Sequence, residues 1–273
     1  MQHFSIHPGQ ISRSFWRHRQ LIFSLIRQEV LVRYRGSILG LLWSFFNPVF
    51  MLLVYTFVFS VVFQARWDQS IGGSKAEFAL VLFVGLLLFN LLAECFTRAP
   101  SLILQNPSYV KRVVFPLEVL PLVAFGSALF HAGISLLVLL LFSCFVFGLP
   151  PMTAFLFPLL LLPLAAIALA GGWLLSSLGV YLRDVAQVVG LLVAAWMFLT
   201  PIFYPVSIIP AEYQVWMHLN PLSFLVDQAR GLLLFGRVLD WFSFFWLTLA
   251  SYALAWLAFV WFQKTRRGFA DVL

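Results

Sequence analysis

The chain has 273 residues, of which 10% are charged and 62% hydrophobic, with a mean hydropathy of +0.98. A soluble domain needs a polar coat, and this composition cannot supply one. Its basic residues, 17 Lys and Arg against 10 Asp and Glu, are scattered beside apolar runs rather than gathered in a patch. That excludes a nucleic-acid partner and points to membrane lipid.

Residues 1–37 form a basic N-terminal segment, and 11–33 read as an amphipathic helix lying in the headgroup layer. Phe15, Ile22, Phe23, Ile26 and Val30 fall on one face, with Arg13, Arg17, Gln20, Ser24, Arg27 and Gln28 opposite; Arg19 and Leu31 break the pattern. Six apolar runs follow, near 38–63, 78–97, 117–147, 153–180, 185–203 and 241–262. Each matches the ~20 residues that a helix needs to cross hydrocarbon, and backbone in lipid must pair internally. The expected fold is therefore an all-α polytopic membrane protein with six transmembrane helices. The first run is too long for the core of a cleavable signal, so it is expected to serve as its own insertion signal.

Between the second and third runs, Asn106 and Pro107 suit a helix start and Pro116 disfavours its continuation, which predicts a two-turn helix over 106–115. Tyr109, Lys111 and Arg112 would face a partner there. Residues 204–236 carry Pro205, Pro210 and Pro221 between apolar pieces too short to cross. Such a segment predicts re-entrant or interfacial helices over a channel mouth. A basic tail, 263–273, closes the chain.

In a six-span arrangement, 13 of the Lys and Arg residues fall on the side of both termini and 4 on the other. The positive-inside rule places both termini in the cytoplasm. Cys95 and Cys144 then lie a membrane thickness apart, too far for a disulfide.

The chemistry is sparse. The sequence lacks G-x-x-x-x-G-K-[ST], so the chain cannot be its own P-loop ATPase. The five histidines are dispersed, which gives no metal site, and no clustered acids mark a catalytic centre, which speaks against a biosynthetic enzyme acting on polyprenyl-phosphate sugars. Glu94, three residues from a span end, and His131, near the middle of the third run, are the ionisable groups expected within the membrane; for His131 a packing role is expected and a proton-coupled role is the alternative. Aromatic residues are in excess. Trp43, Phe46, Tyr55 and Phe59 in the first run, and Trp196, Phe198, Phe203 and Tyr204 around the fifth, offer flat faces on which sugar rings can stack; ordinary packing is the competing role.

Four blocks carry a family resemblance. They are Arg33-Tyr34-Arg35-Gly36 through Trp43 to Asn47-Pro48; Lys111-Arg112 through Phe115-Pro116 to Pro121; Tyr181-Leu182-Arg183-Asp184-Val185; and Thr200-Pro201-Ile202-Phe203-Tyr204-Pro205 with Asn220-Pro221. In order and spacing the chain resembles ABC-2 type permeases that export polysaccharides, above all those for O-antigen and teichoic acid. The resemblance implies a homodimer of six-span subunits with two ATP-binding cassette subunits, which would bind ATP and Mg, in a bacterial inner membrane. It implies a cargo of undecaprenyl-diphosphate-linked glycan moved to the periplasmic face, with capsule or teichoic-acid polymer, or a small amphiphile, as alternatives. Residues 106–115 would be the segment that couples to the ATPase. Arg33, Tyr34 and Arg35 are then the expected contacts for the diphosphate, because guanidinium forks suit phosphate oxygens, with Arg183 a further candidate.

Overall fold

The computed structural model describes residues 14–58, 75–110 and 115–272, and every regular element among them is helical. Phe59, Lys111 and Arg112 therefore lie outside the described residues. The amphipathic segment forms α1 (Arg19–Arg33). Its Ile22 and Val30 are buried, and Ile22 packs with Val119 and Val123. Ile26 seats directly on Gly126, where a Cβ would collide with it. Phe23, assigned by periodicity to the same face, is instead 72% exposed, because the helix offers the bundle a stripe narrower than its apolar face. Gly36, at φ 83°, then reverses the chain into the first apolar helix, a conformation that only glycine adopts without cost.

Five stretches among the described residues are helical, long and apolar enough to cross a membrane: Gly40–Val58, Ala76–Ser101, Leu117–Val146, Met152–Tyr181 and Trp241–Val272. Their main helices are α2 (Trp43–Tyr55), α3 (Lys75–Arg98), α4 (Leu120–Val146), α5 (Phe157–Tyr181) and, after α6 (Val185–Leu199), α7 (Ala211–Leu219) and α8 (Pro221–Leu233), α9 (Trp241–Thr265). The run expected to span at 185–203 is shorter. Its helix α6 (Val185–Leu199) has 15 residues, about 22 Å at 1.5 Å per residue, against roughly 30 Å of hydrocarbon. Thr200 turns extended (ψ 135°) ahead of Pro201, which cannot continue the helix.

The bundle is organised around α3. Its most apolar window is 83% buried, against 11% for the first span, and α2, α4, α5, α6 and α8 (Pro221–Leu233) all pack on it. A helix apolar on every side belongs in such a centre. The α9 helix lies along α5, with Trp173, Phe259 and Phe262 interlocked between them. In lipid, burial of apolar surface gives little net drive, so close packing at small residues holds the helices. A Cβ at Gly171 would strike Phe96, and one at Gly179 would strike the carbonyl of Pro100.

Residues 204–236 contain a short 3-10 turn at Val206–Ile208 and two α-helices, α7 (Ala211–Leu219), which buries none of its residues, and α8, which buries Leu222, Leu225, Val226, Ala229 and Leu232. Asn220 caps α8 by accepting from the Leu222 N–H at 3.1 Å, with Pro221 in the first turn. In the loop before α4, the described part of the helix expected over 106–115 is the turn Pro107–Val110, and residues 111–114 lie outside the described residues. Both cysteines are free, Cys95 buried and Cys144 exposed.

Candidate functional site

The two ends of the bundle differ in chemistry. One end gathers α1, the Arg98 end of α3, the Pro107–Val110 turn, the α5–α6 turn and the end of α9. A buried ion pair ties it together: Arg266 Nη1 lies 2.6 Å from Glu118 Oε2, and Arg266 also donates to the Phe115 carbonyl at 2.8 Å. The Glu118 carbonyl accepts from Trp173 Nε1 at 3.0 Å and its other carboxylate oxygen from Ser14 at 3.2 Å. Four chain segments thus meet at one residue. Asn106 donates its amide back to the Leu102 carbonyl at 2.9 Å, and the Tyr109 ring stacks on Phe115 at 4.2 Å, so the expected coupling turn is packed against this node.

Beside it, a cavity of about 450 Å³ opens between the start of the first span, α3 and α4. Arg33, Tyr34, Asn47, Asn90, Glu94 and His131 supply its polar wall; Trp43, Met51 and Tyr55 are among its apolar residues. Arg33 Nη1 pairs with Glu94 Oε1 at 2.6 Å. Arg98 reaches the same Glu94 oxygen at 3.4 Å and also pairs with Glu29. Tyr34 Oη meets His131 Nδ1 at 3.2 Å, with the rings edge to face. Burial, partly offset by Arg33, raises the Tyr34 phenol above its ordinary value, which keeps it neutral and able to donate. His131 Nε2 is buried without a partner.

Sequence reasoning marked Arg33, Tyr34 and Arg35 as one group, and the structure separates them. Arg33 and Tyr34 line the cavity, whereas Arg35 lies with Arg27 in a shallow groove along α1. Arg183 is exposed in the turn before α6 and lines neither. Glu94, noted only as an ionisable group near a span end, turns out to be the partner of Arg33. Asn47 and Asn90 were missed. Their signal was available, since an amide side chain within an apolar run is itself costly. Asn90 is exposed at the cavity although its helical neighbours Phe89 and Leu91 are buried.

The aromatic candidates also divide. Trp43 and Tyr55 line the cavity, and Phe46 is 46% exposed with its ring edge on Phe45. Phe198 is 63% exposed and stacks on Phe203 at 5.8 Å, while Tyr204 Oη donates to the Phe198 carbonyl at 2.6 Å. Trp196 is taken up in packing: its ring stacks on Phe96 at 5.6 Å and its Nε1 donates to Asn220 Oδ1 at 3.2 Å.

The opposite end is closed by a second arginine. Arg230 is 4% exposed and donates to three carbonyls, Val81 at 3.0 Å, Pro201 at 2.8 Å and Ile202 at 2.8 Å. The last two are orphaned by the break after α6, and Arg230 satisfies them from α8. Asn220 adds a bond to Thr200 Oγ1 at 3.0 Å. Broken backbone among apolar helices persists only where protein pairs it in this way.

Comparison with known proteins agrees with this architecture. The ABC-2 type transporter family model matches residues 20–234. The chain is 31% identical over 264 residues to the O-antigen export system permease protein RfbA of Myxococcus xanthus, covering 96% of this chain and 98% of that protein. It is 26% identical over 255 residues to the O-antigen export system permease protein RfbA of Klebsiella pneumoniae, covering 93% and 95%. A family match through most of the chain, with a relative aligned nearly end to end, settles the membership: this chain belongs to the ABC-2 type transporter family, whose members are membrane permeases.

Proposed function

We propose that this chain is the membrane subunit of an exporter for an O-antigen-like polysaccharide carried on undecaprenyl diphosphate. Two copies work with two ATP-binding cassette subunits, which bind ATP and Mg. The chain lies in a bacterial inner membrane with both termini cytoplasmic, and cargo moves from the cytoplasmic to the periplasmic face. Six segments enter the membrane in this reading, α6 being the short one, completed by the broken stretch after Leu199. Alpha-1 lies at the headgroup layer, and the helices of 204–236 cover the outer mouth.

The observation that carries the reading is the cavity holding Arg33 and Tyr34 at the basic end, beside the first span. A guanidinium fork and a neutral phenol suit phosphate oxygens, and the cavity continues past Trp43 to Tyr55. Arg35 and Arg183 are exposed cations that would meet the headgroup on its approach. The glycan would thread past Trp43, Phe46 and Phe198, which are exposed on α2 and α6, the helices we place at the conduit between two copies. The ATPase would push on the turn at Pro107–Val110, with Tyr109, and on Lys111 and Arg112 beyond it. Its two states can bias the permease only through differential contacts there.

The test is made in cells lacking this protein, with a glycan-specific binder applied before and after permeabilisation of the inner membrane. The expected result is polymer that becomes accessible only after permeabilisation. Normal surface polymer would overturn the reading and favour a small amphiphile as cargo.

A further inference from the structure

Arg33 is 46% exposed at the mouth of a cavity that, on the reading above, opens toward the inner leaflet. A bare guanidinium there would be occupied by whichever anionic lipid is most abundant, and most such lipids carry a single phosphodiester charge. In the structure it is not bare. Glu94 Oε1 sits 2.6 Å from its Nη1, where a phosphate oxygen would otherwise bind. We infer that Glu94 is a specificity-determining residue: a resident carboxylate that holds the Arg33 fork against monoanionic headgroups and yields it only to a headgroup of higher charge, such as a diphosphate. This rests on the proposed headgroup site.

The surrounding charges make the exchange workable. An ion pair this exposed is weak, so a dianionic ligand forming two charge-assisted bonds displaces it, whereas a single phosphodiester gains little over the carboxylate already present. Once displaced, Glu94 is not stranded. Arg98 Nη1 already lies 3.4 Å from the same oxygen, and Arg98 is itself held by Glu29. The displaced carboxylate therefore keeps a cation, which removes the penalty of an unpaired charge at a membrane boundary. Rejecting the common competitor by an occupying like charge is selection against the wrong ligand rather than added attraction for the right one.

The experiment titrates the full chain, in complex with its ATP-binding partner, with undecaprenyl diphosphate, undecaprenyl monophosphate and phosphatidylglycerol, reading bound lipid by native mass spectrometry. Wild type is expected to favour the diphosphate. Glu94→Gln is expected to tighten phosphatidylglycerol binding about fivefold and binding of the diphosphate and of the monophosphate, a monoester that is also largely dianionic at neutral pH, less, so that discrimination falls. Glu29→Gln removes an equal charge nearby but leaves the Arg33 pair intact, and is expected to stay within about twofold of wild type. Arg33→Gln/Glu94→Gln should show no gain over Arg33→Gln, because the gain acts through Arg33. If Glu94→Gln melts early, Glu94→Asp, which shortens the reach but keeps the charge, is read in its place and should fall between the two. Unchanged discrimination in Glu94→Gln, or an equal change in Glu29→Gln, while Arg33→Gln still weakens the diphosphate, overturns the role of Glu94 and leaves the site standing. Diphosphate binding unaffected by Arg33→Gln overturns the site itself.

Discussion

Arg33 and Arg230 are the same side chain at opposite ends of one bundle, and they do different work because of burial and partner. Arg33 is half exposed and faces a carboxylate that can be exchanged for another anion. Arg230 is 4% exposed and faces three backbone carbonyls, which cannot leave. An exposed charge pair contributes about 0–1 kcal/mol to stability, because water competes for both partners. A buried donor to otherwise orphaned carbonyls contributes several times more, because nothing replaces it. The lesson is that a charge near a membrane is a lock when its partners are fixed and a ligand site when they can exchange.

The comparison breaks first at Arg230. Replacing it by Met keeps the length and removes every donor, and should destabilise the fold by roughly 3–5 kcal/mol. Thermal melting of the detergent-purified complex checks this; a melting point near wild type would mean the three bonds do not hold the outer segment. Glu118→Gln comes next, since it removes the charge from a pair with side chains only 11% and 12% exposed; a loss of about 3 kcal/mol is expected in the same assay. Because the node also carries Phe115 and Tyr109, ATP hydrolysis should become less tightly coupled to export in that variant.

Arg33→Gln should do the opposite of Arg230→Met. Its melting point should stay close to wild type, within the ~1 kcal/mol of an exposed pair, while surface polymer falls about tenfold. A large drop in stability would make Arg33 a structural residue and erase the contrast. The smallest effect belongs to Asp240, which is exposed and caps α9 by accepting from the Ser243 N–H at 3.3 Å. Hydrogen bonds from Ser243 lower its carboxyl below the ordinary 3.8. A lowered value in the fold means the charged form is favoured there. Its contribution is therefore full above the ordinary value and is lost as pH falls through the lower folded one. Asp240→Asn should shift melting at neutral pH by only about one to two degrees, with the difference from wild type vanishing in strong acid.

Much of the fold was legible because the signal is local. The third and fourth runs, expected at 117–147 and 153–180, end within a residue of the spans Leu117–Val146 and Met152–Tyr181, since apolar length is a property of consecutive residues. The fifth was overextended to 203, although Pro201 stood in plain view, because the residues beyond it are as apolar as those before. The site was half legible. Arg33 and Tyr34 could be picked from their place before the first span, but that Arg35 turns to another groove depends on how α1 lies on α4. Glu94 is 61 positions from Arg33, and no pattern along the chain links them.

The sequence by itself determined that this protein lives in a membrane, that its elements are helices, and which end is basic, because each follows from runs of neighbouring side chains and the absence of water to satisfy their backbone. Tertiary structure alone decided which helix is central, which arginine is paired with a carboxylate and which with carbonyls, and where a cavity remains. Those outcomes depend on distances between segments far apart in the chain. Arg230 and Val81, 149 positions apart, meet only because α8 folds back on α3 and brings a buried guanidinium to a carbonyl within that helix.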